Sequence, residues 1–165
     1  MRNGIIADTL RNAGSPFRII FGLNLPQLVE IAGECGKSTE LAELLWQNNS
    51  TRESMLLAPM LVEEQHFTLN DSLRWIDSIP SAEVADILCH RLLRKVPYAW
   101  TLAEQLISTP SGTWHQYTGL RLTFNLINQD PQRAIDMLQN SDIQDDLLPL
   151  SNSIISECRY LTSNL

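Results

Sequence analysis

The 165-residue chain has few of the features that tie a protein together covalently or hold it in a membrane. Its three cysteines, Cys35, Cys89 and Cys158, are odd in number and widely separated, so we expect reduced, mostly packed thiols. No apolar run approaches the roughly 18 residues that a membrane-spanning helix needs. The first residues lack the charged start and apolar run of a secretory signal. We therefore predict a cytoplasmic protein that makes no membrane contact.

Motifs of the common nucleotide, acyl-transfer and metal chemistries are also missing. The sequence has no Gly-x-Gly-x-x-Gly, no phosphate-loop pattern and no Gly-x-Ser-x-Gly elbow. His66, His90 and His115 lie on separate segments, and none has a second histidine at the i, i+4 spacing of a helical zinc pair. We expect neither a bound metal nor a cofactor.

Basic residues are scarce relative to acidic ones, 12 against 19, which gives a formal net charge of −7. This charge repels a phosphate backbone at long range, although a local basic face can still bind one. The acids are concentrated at the C-terminal end, where six follow residue 129 against two bases. Any anionic partner should therefore avoid that end.

Strand signals are weak and helix signals are strong along the chain. No stretch alternates polar and apolar residues strictly enough to predict a strand. Side chains that accept from first-turn amides, together with prolines that fit the first turn, mark the helix starts. The predicted starts lie at Asn24 with Pro26, Ser38, Ser50, Thr68 to Asp71, Pro80 with Ser81, Pro97, Ser111 or Thr113, and Asp130 with Pro131.

Several of these predictions are specific. Gly36 should end the helix that Asn24 begins. Ser50 and Glu53 have the spacing of a capping box, in which each side chain accepts from the other's backbone N–H. Pro59 should bend the helix that follows, and Pro149 should interrupt the last one, leaving two short helices or one kinked helix.

About ten helices joined by short loops favour antiparallel helix pairs. We predict an all-α fold, with these pairs stacked as a helical-repeat solenoid in a single domain over residues 1–165. No fixed period of self-similarity is visible in the sequence, so the solenoid prediction depends on loop lengths.

The segment FGLNLPQLVEIAGECGKSTELAELLW, residues 21–46, resembles the start of the DNA alkylation repair proteins, a family with HEAT-like repeats. The resemblance continues in order to about residue 128 through RESMLLAPML at 52–61, SAEVADIL at 81–88, PYA at 97–99 and WHQYTGL at 114–120. It implies a HEAT-like α-solenoid that holds DNA on its concave face, and an enzyme that removes cationic alkylated purines.

The resemblance further implies an aspartate beside the sugar, an arginine near the DNA backbone and aromatic rings against the deoxyribose. The aspartate matches Asp86. Two other positions differ from the family pattern. Ala82 stands where a tryptophan is expected, and Tyr117 stands where the arginine is expected, three residues after Trp114. An aspartate this early in a helix also has a simpler explanation, since it complements the positive end of the helix dipole.

The densest basic cluster is Arg91, Arg94 and Lys95, which Arg74 and Arg52 could extend into a phosphate-facing groove. The alternative is a solvated helix end, where cations complement the last carbonyls.

Three candidate functions follow from these observations. The first is DNA binding with weak or lost glycosylase activity, the second is a protein-interaction scaffold, and the third is an active glycosylase for cationic alkylated purines. Duplex DNA and protein are thus the expected partners, and the sequence leaves the oligomeric state open.

Overall fold

A computed structural model of the chain describes residues 3–163. Within that range it contains ten α-helices, three 3-10 turns and no β-strand, which confirms the all-α prediction. No helix between residues 3 and 163 is both long and apolar enough to cross a membrane. In chain order the helices are α1 Gly4–Asn12, α2 Leu25–Cys35, α3 Thr39–Gln47, α4 Arg52–Leu61, α5 Leu69–Asp77, α6 Ala82–Arg91, α7 Ala99–Ser108, α8 His115–Leu126, α9 Pro131–Gln139 and α10 Leu148–Ser163.

Most of the predicted helix starts are confirmed by cap hydrogen bonds. Asn24 accepts from the backbone of Gln27, whose side chain accepts in return, so α2 begins with a complete capping box. Gly36 ends α2 with a positive φ of 71°, a conformation that favours glycine. The remaining side-chain caps at predicted starts are Ser38 for α3, Thr68 for α5, Ser81 for α6 and Asp130 for α9.

The predicted capping box of Ser50 and Glu53 is wrong. Helix α4 begins after Thr51, which makes no side-chain cap hydrogen bond. Glu53 instead accepts hydrogen bonds from three backbone N–H groups, those of residues 21, 22 and 23. Those amides lie in an irregular segment and have no helical partner, so a buried carboxylate satisfies them. The neighbouring backbone forms an isolated bridge between Ile19 and Thr51.

Two further differences from the sequence prediction concern the chain ends. Pro149 lies in the first turn of α10, where proline disrupts no helical hydrogen bond, and α10 continues past it to Ser163. A separate 3-10 turn, Asp145–Leu147, precedes α10. Helix α1 was not predicted. Ala7 is the residue that α1 buries.

The chain divides into two compact units, one ending at Phe67 and the other beginning at Thr68. In unit 1, α2 and α3 pack against α4, whose residues are largely buried. Gly22 approaches the backbone of Asn3 so closely that a Cβ at position 22 would lie 2.2 Å from the Asn3 carbonyl oxygen. The single domain expected over residues 1–165 stays a prediction.

Unit 2 is organised around α8, which contacts α5, α6, α7, α9 and α10. Gly119 permits the close packing of α8 on α7, because a Cβ there would lie 2.7 Å from Ile107 Cγ1 and 3.2 Å from the Ala103 carbonyl oxygen. One core cluster includes Ile107, Leu120 and Ile135. Because α8 is central in unit 2, its side chains can meet side chains from several neighbouring helices.

Candidate active site

Helices α6 and α8 pack side by side and bring Asp86 together with Tyr117, the two residues that the sequence suggested for catalysis. Ser81 caps α6, so Asp86 lies in the second turn of that helix. Val84 and Leu88 are buried, and they anchor α6 in the core of unit 2. The Tyr117 hydroxyl donates a 3.0 Å hydrogen bond to Asp86 Oδ1.

A guanidinium also lies at this carboxylate. Arg121 donates from Nε to the same Oδ1 atom of Asp86 over 2.7 Å, the length of a charge-assisted hydrogen bond. The side chains of Arg121 and Asp86 are 28% and 36% exposed, so the pair is reachable from solvent. Among residues 3–163, Oδ1 receives both of these bonds and Oδ2 receives none. One oxygen atom is thus held while the other is free to meet a ligand.

Arg121 is the residue of this candidate site that the sequence reasoning missed. The family pattern has an arginine at position 117, where this sequence has a tyrosine. In the structure, the Arg121 guanidinium reaches Asp86 from one helical turn further along α8. The signal was present in the sequence. Tyr117 and Arg121 are four residues apart, which puts both on one face of a helix.

The electrostatics of the cluster keep the phenol protonated. Burial, followed by the charge of Asp86 and its hydrogen bond, raises the pKa of Tyr117 to about 12, while Arg121 opposes the rise. Burial also raises the pKa of the Cys89 thiol, and the Asp86 carboxylate adds to that effect. Cys89 donates to the Thr118 carbonyl oxygen over 3.5 Å and is fully buried. Tyr117 is therefore a neutral hydrogen-bond donor over the physiological range.

The surroundings of the pair add an aromatic ring and a second polar contact. The Arg121 guanidinium lies over the Phe124 ring, 5.5 Å from its centroid, and Phe124 is 41% exposed. His90 Nδ1 lies 3.0 Å from Asn125 Oδ1, and Asn125 Nδ2 donates to the Arg121 carbonyl oxygen. Phe124 and the His90–Asn125 contact thus lie on the same two helices as Asp86 and Arg121.

The predicted basic cluster lies at the end of the same helix as Asp86. Arg91 is the last residue of α6, and its Nε is buried without a hydrogen-bond partner among the described residues. Arg94 and Lys95 are exposed on the 3-10 turn Leu93–Lys95, which packs against α6, α7 and α8. Arg74 is exposed on α5 and pairs with Asp71 over 3.3 Å.

Arg52 has a different environment from the other predicted DNA-binding residues. It is 6% exposed in unit 1, where its Nη1 donates to the Leu23 carbonyl oxygen and to Glu53 Oε1, each over 3.0 Å. These contacts occupy the guanidinium inside the fold. We therefore assign Arg52 a structural role in unit 1 and do not include it among the residues that could contact DNA.

The sequence model of one family, described as DNA alkylation repair enzyme, matches residues 4–160. The chain belongs to the DNA alkylation repair enzyme family. Comparison with curated proteins and with solved structures finds no match. Asp86, which the sequence resemblance matched to the family's aspartate, accepts a hydrogen bond from the Arg121 guanidinium. Ala82 still stands where an aromatic residue was expected.

Between residues 3 and 163, no three His, Cys, Asp or Glu side chains gather closely enough to hold a metal ion. Three groups meet at Asp86. They are an ionisable carboxylate, a neutral phenol donor and a cation.

Proposed function

We propose that this chain binds duplex DNA and that Asp86 promotes release of cationic alkylated purines from it. The observation that carries the proposal is the half-exposed Asp86 carboxylate, oriented through one oxygen by Tyr117 and Arg121. In this proposal the described helices stack as HEAT-like repeats and offer DNA a concave face.

The chemistry needs little more than a well-placed negative charge. When the N-glycosidic bond breaks, positive charge develops on the deoxyribose, and a fixed carboxylate stabilises that charge. A purine that is already cationic leaves as a neutral base, so no protein acid has to protonate it. Asp86 Oδ2 is the atom we assign to the sugar, because Oδ1 already accepts from Tyr117 and Arg121.

Arg121 has two tasks in this proposal. Its Nε holds the carboxylate, and the guanidinium carries further N–H groups that can donate to a phosphate. The exposed bases Arg94 and Lys95, with Arg74, would supply additional phosphate contacts. In this proposal these cations contact the phosphates despite the net charge of −7, and the acidic C-terminal end stays away from the DNA.

The direct test is release of base from a duplex that carries N7-methylguanine. We expect the wild type to release the modified base and Asp86→Asn to lose at least ~100-fold in rate, as when one preorganised electrostatic group is removed. Asp145→Asn, which removes an exposed carboxylate on the turn before α10, should release base at the wild-type rate. Equal rates for wild type and Asp86→Asn would overturn the catalytic proposal.

DNA binding is tested separately. The dissociation constant for an unmodified duplex should rise steeply with salt, and Arg94→Ala should weaken binding and reduce the salt slope by about one counterion. Binding that is undetectable at low salt would overturn the DNA-binding proposal.

A protein-interaction scaffold is the second candidate function. What favours it is the exposure of apolar side chains on two helices of unit 1, with Val29 on α2 40% exposed and Leu44 on α3 60% exposed. If Leu44→Lys abolishes capture of a cellular protein while base release is absent in the wild type, the scaffold function replaces the enzymatic one.

A further inference from the structure

A second polar cluster lies at the start of α8, where His115 precedes Tyr117 by two residues, and it has no part in the proposed DNA chemistry. Asp77 ends α5, Ser111 lies in the loop after α7, and His115 begins α8. His115 Nε2 lies 2.6 Å from Asp77 Oδ1, and His115 Nδ1 lies 3.2 Å from the Ser111 hydroxyl oxygen. A serine, a histidine and an aspartate are thus connected in the order in which nucleophilic hydrolases use them.

The hydrogen bonds determine which nitrogen of the neutral ring carries the proton. An ionised Asp77 only accepts, so Nε2 is the protonated nitrogen. The Ser111 backbone N–H also points at Nδ1 over 3.4 Å, which makes Nδ1 an acceptor. In this tautomer Nδ1 can take a proton from the Ser111 hydroxyl, while Asp77 stabilises the imidazolium that results.

The imidazole is held firmly. His115 is 4% exposed. A Cβ at position 112 would lie 2.9 Å from His115 Cδ2, so Gly112 allows the loop to lie close to the imidazole ring. Ser111 is exposed, as a nucleophile that meets substrate must be. The N–H groups of Gly112 and Thr113, which follow it directly, make no hydrogen bond to any described residue. They are candidate donors to an oxyanion.

A cavity of about 140 Å³ adjoins the three residues. Its wall combines the triad side chains with apolar and polar neighbours: Leu73, Asp77, Gln105, Leu106, Thr109, Ser111 and His115. At about 30 Å³ per water, this space equals roughly four to five water molecules. It suits a short acyl group of up to about four carbons against the two leucines.

We propose that Ser111, His115 and Asp77 form a second active site that hydrolyses esters of short-chain acids. The Ser111 oxygen attacks the ester carbonyl carbon, and its proton passes to His115 Nδ1. The carbonyl–alkoxy bond then breaks, and the alcohol leaves with that proton. Water, deprotonated by His115, next attacks the acyl-serine, which releases the carboxylic acid and restores the serine. This site is independent of the proposed glycosylase function.

The test uses the full chain and a fluorophosphonate probe, which reacts with activated serines. We expect the phosphonyl group on the peptide that contains Ser111, and no labelling of Ser111→Ala. Ser108→Ala removes a neighbouring exposed hydroxyl that donates to the Glu104 carbonyl oxygen, and it should label like the wild type. His115→Gln should lose labelling by about 100-fold and Asp77→Asn by at least ~10-fold.

Substrate size gives a second readout. The wild type should hydrolyse p-nitrophenyl acetate and butyrate faster than the octanoate, and Ser111→Ala should hydrolyse none of them above the buffer rate. Because Ser111 is exposed, circular dichroism should show Ser111→Ala folded, and base release from alkylated DNA should stay at the wild-type rate. No label on Ser111, or equal labelling of wild type and His115→Gln, overturns the proposal.

Discussion

Two arginine–carboxylate pairs, Arg52 with Glu53 and Arg121 with Asp86, use the same chemistry in different surroundings. The nitrogen–oxygen distances are 3.0 Å and 2.7 Å. The first pair is almost entirely buried, with side chains 8% and 4% exposed, whereas those of the second are 28% and 36% exposed. Both oxygens of Glu53 accept hydrogen bonds, but the bonds to Asp86 end on one oxygen.

The difference in burial separates a structural carboxylate from one that is available to a ligand. A buried carboxylate with every acceptor position satisfied is a structural group, because any new ligand would have to displace protein hydrogen bonds. A half-exposed carboxylate with one free oxygen contributes little to stability and is available for chemistry. The predictions that follow test this division, from the largest expected effect on stability to the smallest.

Replacing Glu53 should have the largest effect. Glu53→Ala removes the carboxylate that accepts from the buried Arg52 guanidinium and from three backbone N–H groups, so the free energy of unfolding should fall by about 3–5 kcal/mol. Urea denaturation measures the loss. Asp8→Ala removes an exposed pair with Arg11 and should change stability by less than ~0.5 kcal/mol. A loss below ~1 kcal/mol in Glu53→Ala would contradict the structural assignment.

Replacing Arg121 should separate stability from activity. Arg121→Ala breaks a partly exposed pair, so we expect unfolding to change by less than ~1 kcal/mol. Release of the alkylated base should nevertheless fall by about 100-fold or more, because Asp86 loses the group that orients it. Arg121→Lys should recover only part of that loss, since an ammonium lacks the planar fork of N–H donors.

The matched control for Arg121 is Arg133→Ala, which breaks an exposed pair with Glu104 on the surface of unit 2. Both stability and base release should stay near the wild-type values. If Arg121→Ala loses stability and activity in parallel, the Arg121–Asp86 pair is structural, like the pair in unit 1.

The smallest effect near neutral pH concerns Tyr117, whose ionisation changes stability only at alkaline pH. Its pKa is about 12 in the folded chain against an ordinary 10.0, so its contribution to stability is fully present below pH 10 and lost as the pH rises to 12. A difference titration of tyrosinate absorbance between wild type and Tyr117→Phe measures the midpoint. Asp86→Asn should move that midpoint down, because a charge and an ionic acceptor are removed. An unchanged midpoint would show that burial alone raises the pKa.

Local signals made most of the fold predictable. Asn24, Ser38, Ser81 and Asp130 cap helices where the sequence indicated, because a cap is a hydrogen bond across three residues and needs no tertiary partner. Glu53 had the same local spacing, yet its carboxylate bonds amides about 30 residues away. Those N–H groups lie outside any helix and have no helical partner, so a tertiary requirement outweighed the local pattern.

The candidate site was predictable only in part. The family resemblance pointed to Asp86. Tyr117 was a candidate only because it stands at the position of the expected arginine. Arg121 was missed because the residues that approach Asp86 belong to a helix more than 30 positions later. The serine, histidine and aspartate of the second cluster were missed for the same reason, since the loop that carries Ser111 has no nucleophile-elbow motif.

The amino-acid sequence by itself determined that the chain is helical, where most of its helices begin and which family it belongs to. The first two properties follow from hydrogen bonds and apolar spacing within one or two helical turns, and the third follows from the match to the family over residues 4–160. The packing of α6 and α5 on α8 decided which carboxylate meets which base, and burial decided which of two arginine pairs is structural. Both depend on contacts between residues distant in the chain, which local patterns do not encode.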